Sequence, residues 1–296
     1  MSVVTPFGAS YNSLTFGGTG SQIQLLGYDN GLRSIPNLRT GDVPNARRDG
    51  ASAGLDLLGE RIFTVTLQPF IQSTTPFETL LEQISTAFQS ISSPTGQLPY
   101  EFFLPGWANS RFITCRPTNG GVPIDLTYQA FASEVPIQMT ANDPLIYSTV
   151  LKTASAGLPS PTAGLTFNAT PNFVFGASTG GSFSTTNNGN YITPIVFTIT
   201  GPVTNPAVTF TATGQFLKFN ITLGSTDTLV VDTGARTVQL DGSSYRFNTV
   251  ATGSTWFGIP PSTVANPTWS IGVSSSDSSA VAAVFSAAWH DAWGWA

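Results

Sequence analysis

The sequence predicts a mainly β protein of two domains with one long helix. Three observations point there. Short runs of alternating apolar and polar residues recur along most of the 296 residues, the period expected of half-buried strands. One segment, from Phe77 to Ile91, switches to a spacing of three and four. Near residue 148 the composition shifts to a stretch, Thr153 to Thr193, rich in Ser, Thr, Gly, Ala and Asn and free of charge. Hydrophobic content of 41%, with 11% aromatic residues, is enough to fill a core.

In chain order, Gln22 to Leu26 and Arg61 to Leu67 read as strands, separated by a segment broken by Gly and Pro that reads as an ordered loop or arm. The helix follows. Thr75 is placed as its N-cap, Pro76 as its first residue and Glu78 as the third member of a capping box, with Ser92-Ser93-Pro94 as the stop. Its Glu78 and Glu82 face solvent, and its single apolar stripe implies docking on a sheet. Strands resume at Leu98 to Leu104, Arg111 to Arg116 and Ile124 to Met139, with Pro136 as a bend or edge position. Beyond the compositional shift come Ile195 to Ile199, Val208 to Thr211, Phe216 to Ile221, Thr228 to Asp232, Thr237 to Leu240, Trp269 to Val273 and Ala280 to Trp289. Strands at this spacing without helices predict a β-sandwich, with Asp232 and Asp241 making turns.

Charge is concentrated. The chain holds 11 Lys+Arg and 16 Asp+Glu, and ten of these lie between Asp29 and Arg61. Interleaved Arg and Asp between glycines suit bidentate contacts at a defined interface. A solvated loop with weak surface pairs is the plainer reading. Arg39, Asp42, Arg47, Arg48 and Asp49 are the candidate interface residues.

The rest of the chemistry is sparse. A net charge of -5 argues against an electrostatic nucleic-acid binder. One cysteine, Cys115, excludes an internal disulfide and fits a small buried hydrophobe. One histidine, His290, removes most triads and metal clusters, so no catalytic, metal or cofactor site is expected. Gly17-Gly18-Thr19-Gly20 lacks the Lys of a phosphate loop and reads as a flexible turn. No secretory signal and no apolar run long enough to span a membrane is evident.

Three blocks then stand in order: RTGDVPNARRDGASAGLDLLGERI (Arg39 to Ile62), NDPLIYS (Asn142 to Ser148), and LVVDTGARTVQLDG (Leu229 to Gly242) with the closing His290-Asp291-Ala292-Trp293. Their order and spacing resemble the distal tail protein family of long-tailed, non-contractile phages. The resemblance covers nearly the whole chain and is weakest from Thr153 to Thr193. It implies a tail-tube-like, ring-forming (belt) domain at 1–148 with one helix, and a galectin-like β-sandwich at 149–296 with a Ser/Thr/Gly-rich lead-in. It also implies a homohexameric ring at the distal end of the virion tail, made in the host cytoplasm. That ring would join the tail-tube protein to the tip proteins, with the tape-measure protein as a further neighbour, and leave a channel through which DNA passes. One departure stands out: relatives carry Arg where this chain has His290, which puts in doubt any ion pair that Arg would form. The runner-up is a carbohydrate-binding module of the tail tip, with Trp256 and Trp269 as the platform. For those tryptophans a core role is the plainer reading.

Overall fold

The computed structural model describes residues 5–27, 31–70, 75–89, 96–159, 181–276 and 282–295. The chain divides into two compact units, Met1–Thr149 with Trp293–Ala296, and Val150–Ala292. The chain thus leaves the first unit after Thr149 and re-enters it at Trp293, so its last residues belong with the first unit and not the second.

The first unit is a curved antiparallel sheet. Its strands run in the order Leu14–Gly17, Gly8–Tyr11, Leu98–Phe102, Arg111–Gly120, Val135–Ala141, Arg61–Pro69, Ile23–Gly27, with Ile146–Ser148 paired beside Arg111 and Phe112. Strand Arg61–Pro69 shows why: Phe63, Val65 and Leu67 alternate inward and are buried, as the period of two requires. The opening hairpin was not anticipated from the sequence. Asn12 and Ser13 both take positive φ (45° and 69°), the two-residue turn whose twist suits antiparallel strands.

Helix α1 spans Phe77–Ala87 and buries Phe77, Leu80, Leu81, Ile84 and Ala87. Each large side chain so buried contributes about 2 kcal/mol. Two details differ from expectation. Pro76 itself is the N-cap and no side chain caps the helix, so the capping box does not form. The helix ends at Ala87, where Asn12 Nδ2 donates to the Ala87 carbonyl at 3.1 Å; the expected stop at 92–94 lies outside the described residues. An aromatic cluster of Tyr11, Phe16, Phe63, Tyr100 and Phe102 fills the core beneath it.

The run Ile124 to Met139 is not one strand. Asp125 Oδ1 accepts the Thr127 and Tyr128 N–H groups at 2.8 and 3.2 Å and nucleates a short helix α2, Leu126–Gln129. The strand begins only at Val135. Pro136 pairs Thr66 on one side, and the ladder to Arg111–Gly120 starts one residue later, at Ile137. The missing N–H therefore falls where one neighbour has run out.

The second unit is a two-sheet sandwich. One sheet runs Lys152–Gly157, Val284–Trp289, Val196–Thr200, Thr228–Asp232, Thr237–Leu240, Ser244–Tyr245; the other runs Ser182–Thr185, Trp269–Ser274, Ala207–Phe210, Gln215–Lys218. Inward residues of both, among them Phe197, Phe285, Val208 and Ile271, share one buried cluster. Asp232 Oδ1 accepts the Gly234 and Ala235 N–H groups, and Asp241 Oδ1 accepts that of Thr228, so both carboxylates do shape turns. Strand Lys152–Gly157 leads into the charge-free stretch and Ser182–Thr185 lies within it, while 160–180 lie outside the described residues.

Candidate functional site

The charged segment of the first unit folds as a β-hairpin arm. Leu38–Arg39 pairs with Leu57–Leu58, and further out Val43–Pro44 pairs with Ala51–Ser52. Between the two ladders the strands approach closely. A Cβ on Gly54 would stand 2.1 Å from the Gly41 carbonyl oxygen, so only glycine permits the contact. Asp42 Oδ1 accepts the Gly54 N–H at 2.9 Å across the same gap. At the tip, Asn45 N–H donates to the Gly50 carbonyl at 3.1 Å, and Ser52 Oγ donates to Asn45 Oδ1.

All five candidate residues lie on this arm. Arg39 is on the inner ladder, Asp42 braces the crossing, and Arg47, Arg48 and Asp49 occupy the tip; all are exposed. Backbone ladders and the Asp42 and Asn45 side chains hold the arm, which leaves Arg39, Arg47 and Arg48 exposed. Five large apolar side chains are exposed on the arm and its approach: Ile35, Leu38, Val43, Leu55 and Leu57.

The base is fixed by a residue that the sequence reading passed over as one more charge of the segment. Arg61 is 1% exposed. Its Nε donates to the Pro144 carbonyl at 2.8 Å, Nη1 to those of Gly31, Leu32 and Ser34 at 3.2, 2.8 and 2.6 Å, and Nη2 to that of Gly294 at 2.5 Å. Burial lowers its pKa to about 10, with Asp143 opposing, so it remains a cation at neutral pH. The rigid fork, with the two Nη1 N–H groups shared among three acceptors, serves a ring of carbonyls that a lysine's three donors could not. Leu32 and Pro36, both buried, pin the arm's first strand beside it.

The returning C-terminal residues are gripped as well. The Arg111 guanidinium lies between two indoles of the first unit, 3.8 Å from the Trp107 ring centroid and 3.6 Å from that of Trp293. In the second unit, the closing motif does carry an ion pair. Lys152 Nζ meets Asp291 Oδ1 at 2.7 Å and also donates to the Thr186 carbonyl and hydroxyl. Buried Asn187 completes that network, donating to the carbonyls of Tyr191 and Ile259 and accepting from Gly189 and Ala292 N–H.

The two tryptophans of the glycan reading are half-buried and serve different neighbours. Trp269 tilts against Phe210 with ring centroids 5.6 Å apart, and its buried Nε1 has no acceptor. Trp256 stacks on exposed Phe247, 6.2 Å between centroids at an interplanar angle of 11°. Cys115 is fully buried, and burial pushes its thiol well above the usual range, so it is an inert core residue.

Among the described residues, no group of three or more His, Cys, Asp or Glu side chains could hold a metal ion. Comparison with known proteins agrees with the architecture. Residues 188–289 match the family described as the siphovirus-type tail component, C-terminal domain. The crystal structure of the Dit protein (gp 19.1) of phage SPP1 superposes with a TM-score of 0.64 at 14% identity, covering 97% of this chain and 99% of that one. The phage P2 baseplate in its activated conformation with Ca contains a chain with a TM-score of 0.49 at 11% identity, covering 95% of this chain and 97% of that one. No curated protein matches by sequence. The second unit thus matches the C-terminal domain of the siphovirus-type tail component family by sequence, and the whole chain shares the fold of the SPP1 Dit protein.

Proposed function

We propose that this chain is the hub at the distal end of the tail tube. Six copies form a ring, the tube protein sits on one side and the tip proteins on the other, and DNA leaves through the central channel. The observation that carries this reading is the arm. It is an ordered hairpin with exposed leucines and arginines, anchored at its base by Arg61. Ten residues from Leu38 to the tip, in extended conformation, span on the order of 30 Å. A unit of about 150 residues has a radius of gyration near 15 Å. The arm is long enough to lie across a neighbour.

Such a contact is heterologous: the arm of one copy meets a different surface on the next, and repetition closes a ring if the rotation allows. Negative-stain images of the purified full chain test this directly. Six-fold rings with an open centre support the hub; particles without rotational symmetry at every concentration contradict it.

Exposed Tyr245 and Phe247, the latter stacked on Trp256, favour one second reading, a carbohydrate contact on the sandwich. A glycan array that shows binding lost in Trp256→Ala supports it, and silence across the array rejects it.

A further inference from the structure

We propose that the seat for the arm is the apolar surface beside α1 on the adjacent copy, formed by the connection between strands Arg111–Gly120 and Val135–Ala141; this rests on the ring reading above. That connection exposes Ile124 and Leu126 at 85% and 80%, and Phe131 at 58%. They are not on a loose loop. Asp125 caps α2, Tyr128 donates to Glu78 of α1, and Phe77 meets the rings of Tyr128 and Phe131 edge-on at 5.6 and 5.5 Å. Phe131 takes φ of 55°, a left-handed conformation unfavourable for a bulky residue, and shows its ring beside Phe77. Structure is being spent here to hold greasy side chains in water.

A groove of about 450 Å³ opens next to this surface, lined by Ile84 and Ser85 of α1 and its C-cap Phe88, and by Val122, Val135 and Ile137 across from them. Its dimensions admit one or two aliphatic side chains, and the arm offers Leu38, Val43, Leu55 and Leu57.

Charge selects the occupant. Neither α1 nor residues 117–134 contain a Lys or Arg, yet they hold Glu78, Glu82, Asp125 and Glu134. The tip of the arm carries Arg47 and Arg48. Of the other arginines in the described part of the first unit, Arg61 and Arg111 are committed to carbonyls and indoles, Arg33 and Arg39 lie on the arm and its approach, and Arg116 is exposed just before the groove-lining Pro117. An apolar seat with an acidic border fits an apolar arm with a basic tip, and the match cannot be made within one copy whose arm stands exposed. Opposite charges across such a border set register and suppress wrong partners more than they add affinity.

The test is a charge swap with a cross-link in the full chain. Arg48→Glu and Glu82→Arg should each weaken association about tenfold, and the double variant should recover most of it, because one well-placed pair is worth on the order of a factor of ten. In parallel, the double variant Arg48→Cys with Glu82→Cys should give oxidation-dependent ladders of linked chains, with buried Cys115 silent. Rings that form normally in both single variants, without ladders in the cysteine variant, overturn the seat and leave the hub standing. A wild-type chain that stays monomeric overturns the hub and the seat together.

Discussion

Arg61 Nη2 donates to the Gly294 carbonyl at 2.5 Å, joining residues 233 positions apart in the chain. The same guanidinium holds the base of the arm through Gly31, Leu32 and Ser34, and the NDP block through Pro144. One buried cation thus gathers the arm, the end of the first unit's main segment and the returning C-terminus.

Arg61→Met should therefore destabilise the first unit by about 3–5 kcal/mol, because five carbonyls lose their donor at once. Arg61→Lys should recover only part, lacking the fork. Chemical denaturation of the full chain measures both. The pH dependence has a defined sign. The folded pKa, about 10, lies below the ordinary 12.5, so the unfolded chain holds more protons between those values and the contribution of Arg61 rises only in that window. Between pH 5 and 9 the difference between wild type and Arg61→Met should be flat.

Lys152→Met should cost the second unit roughly 1–3 kcal/mol. The pair with Asp291 is partly open to solvent, yet the carboxylate also accepts the Asn188 N–H and would be left short of a partner. Lowered thermal stability, with the first unit's transition unmoved, is the expected calorimetric result.

Gly54→Ala should separate assembly from folding. Its Cβ would collide with the Gly41 carbonyl oxygen, so the arm's crossing must open, while no core residue is touched. Ring assembly should fall severalfold with the melting temperature unchanged within about 2 °C.

Asp125 gives an acid-sensitive reporter on the proposed seat. The Thr127 side chain, and then the Tyr128 amide, hold its carboxyl below the ordinary 3.8. A lowered folded pKa means stabilisation present above the unfolded value and lost as pH falls through the folded one. The Thr127 and Tyr128 amide resonances should titrate together with a midpoint below 3.8.

Much of this architecture was legible in the chain. The three-and-four spacing located α1, and alternation located Arg61–Pro69 and the sandwich strands, because each pattern reports a buried face directly. Helix α2 was missed: it is four residues long, and its cue is one Asp two positions before Thr127 inside an alternating run. The arm's ladders are two residues each and interrupted by Gly and Pro, so periodicity had nothing to grip. Arg61 was counted among ordinary interface charges because its partners are backbone carbonyls, which leave no mark in a sequence. The Lys152–Asp291 pair spans 139 positions, and only the fold brings it together.

Solution mass by light scattering is the most direct measurement, comparing the full chain with a variant whose residues 38–58 are replaced by a short Gly-Ser turn. A full chain at six times its 31.1 kDa and a folded, monomeric variant are the predicted results. An arm-deleted variant that keeps the mass of the full-chain assembly would contradict the claim that the arm closes the ring.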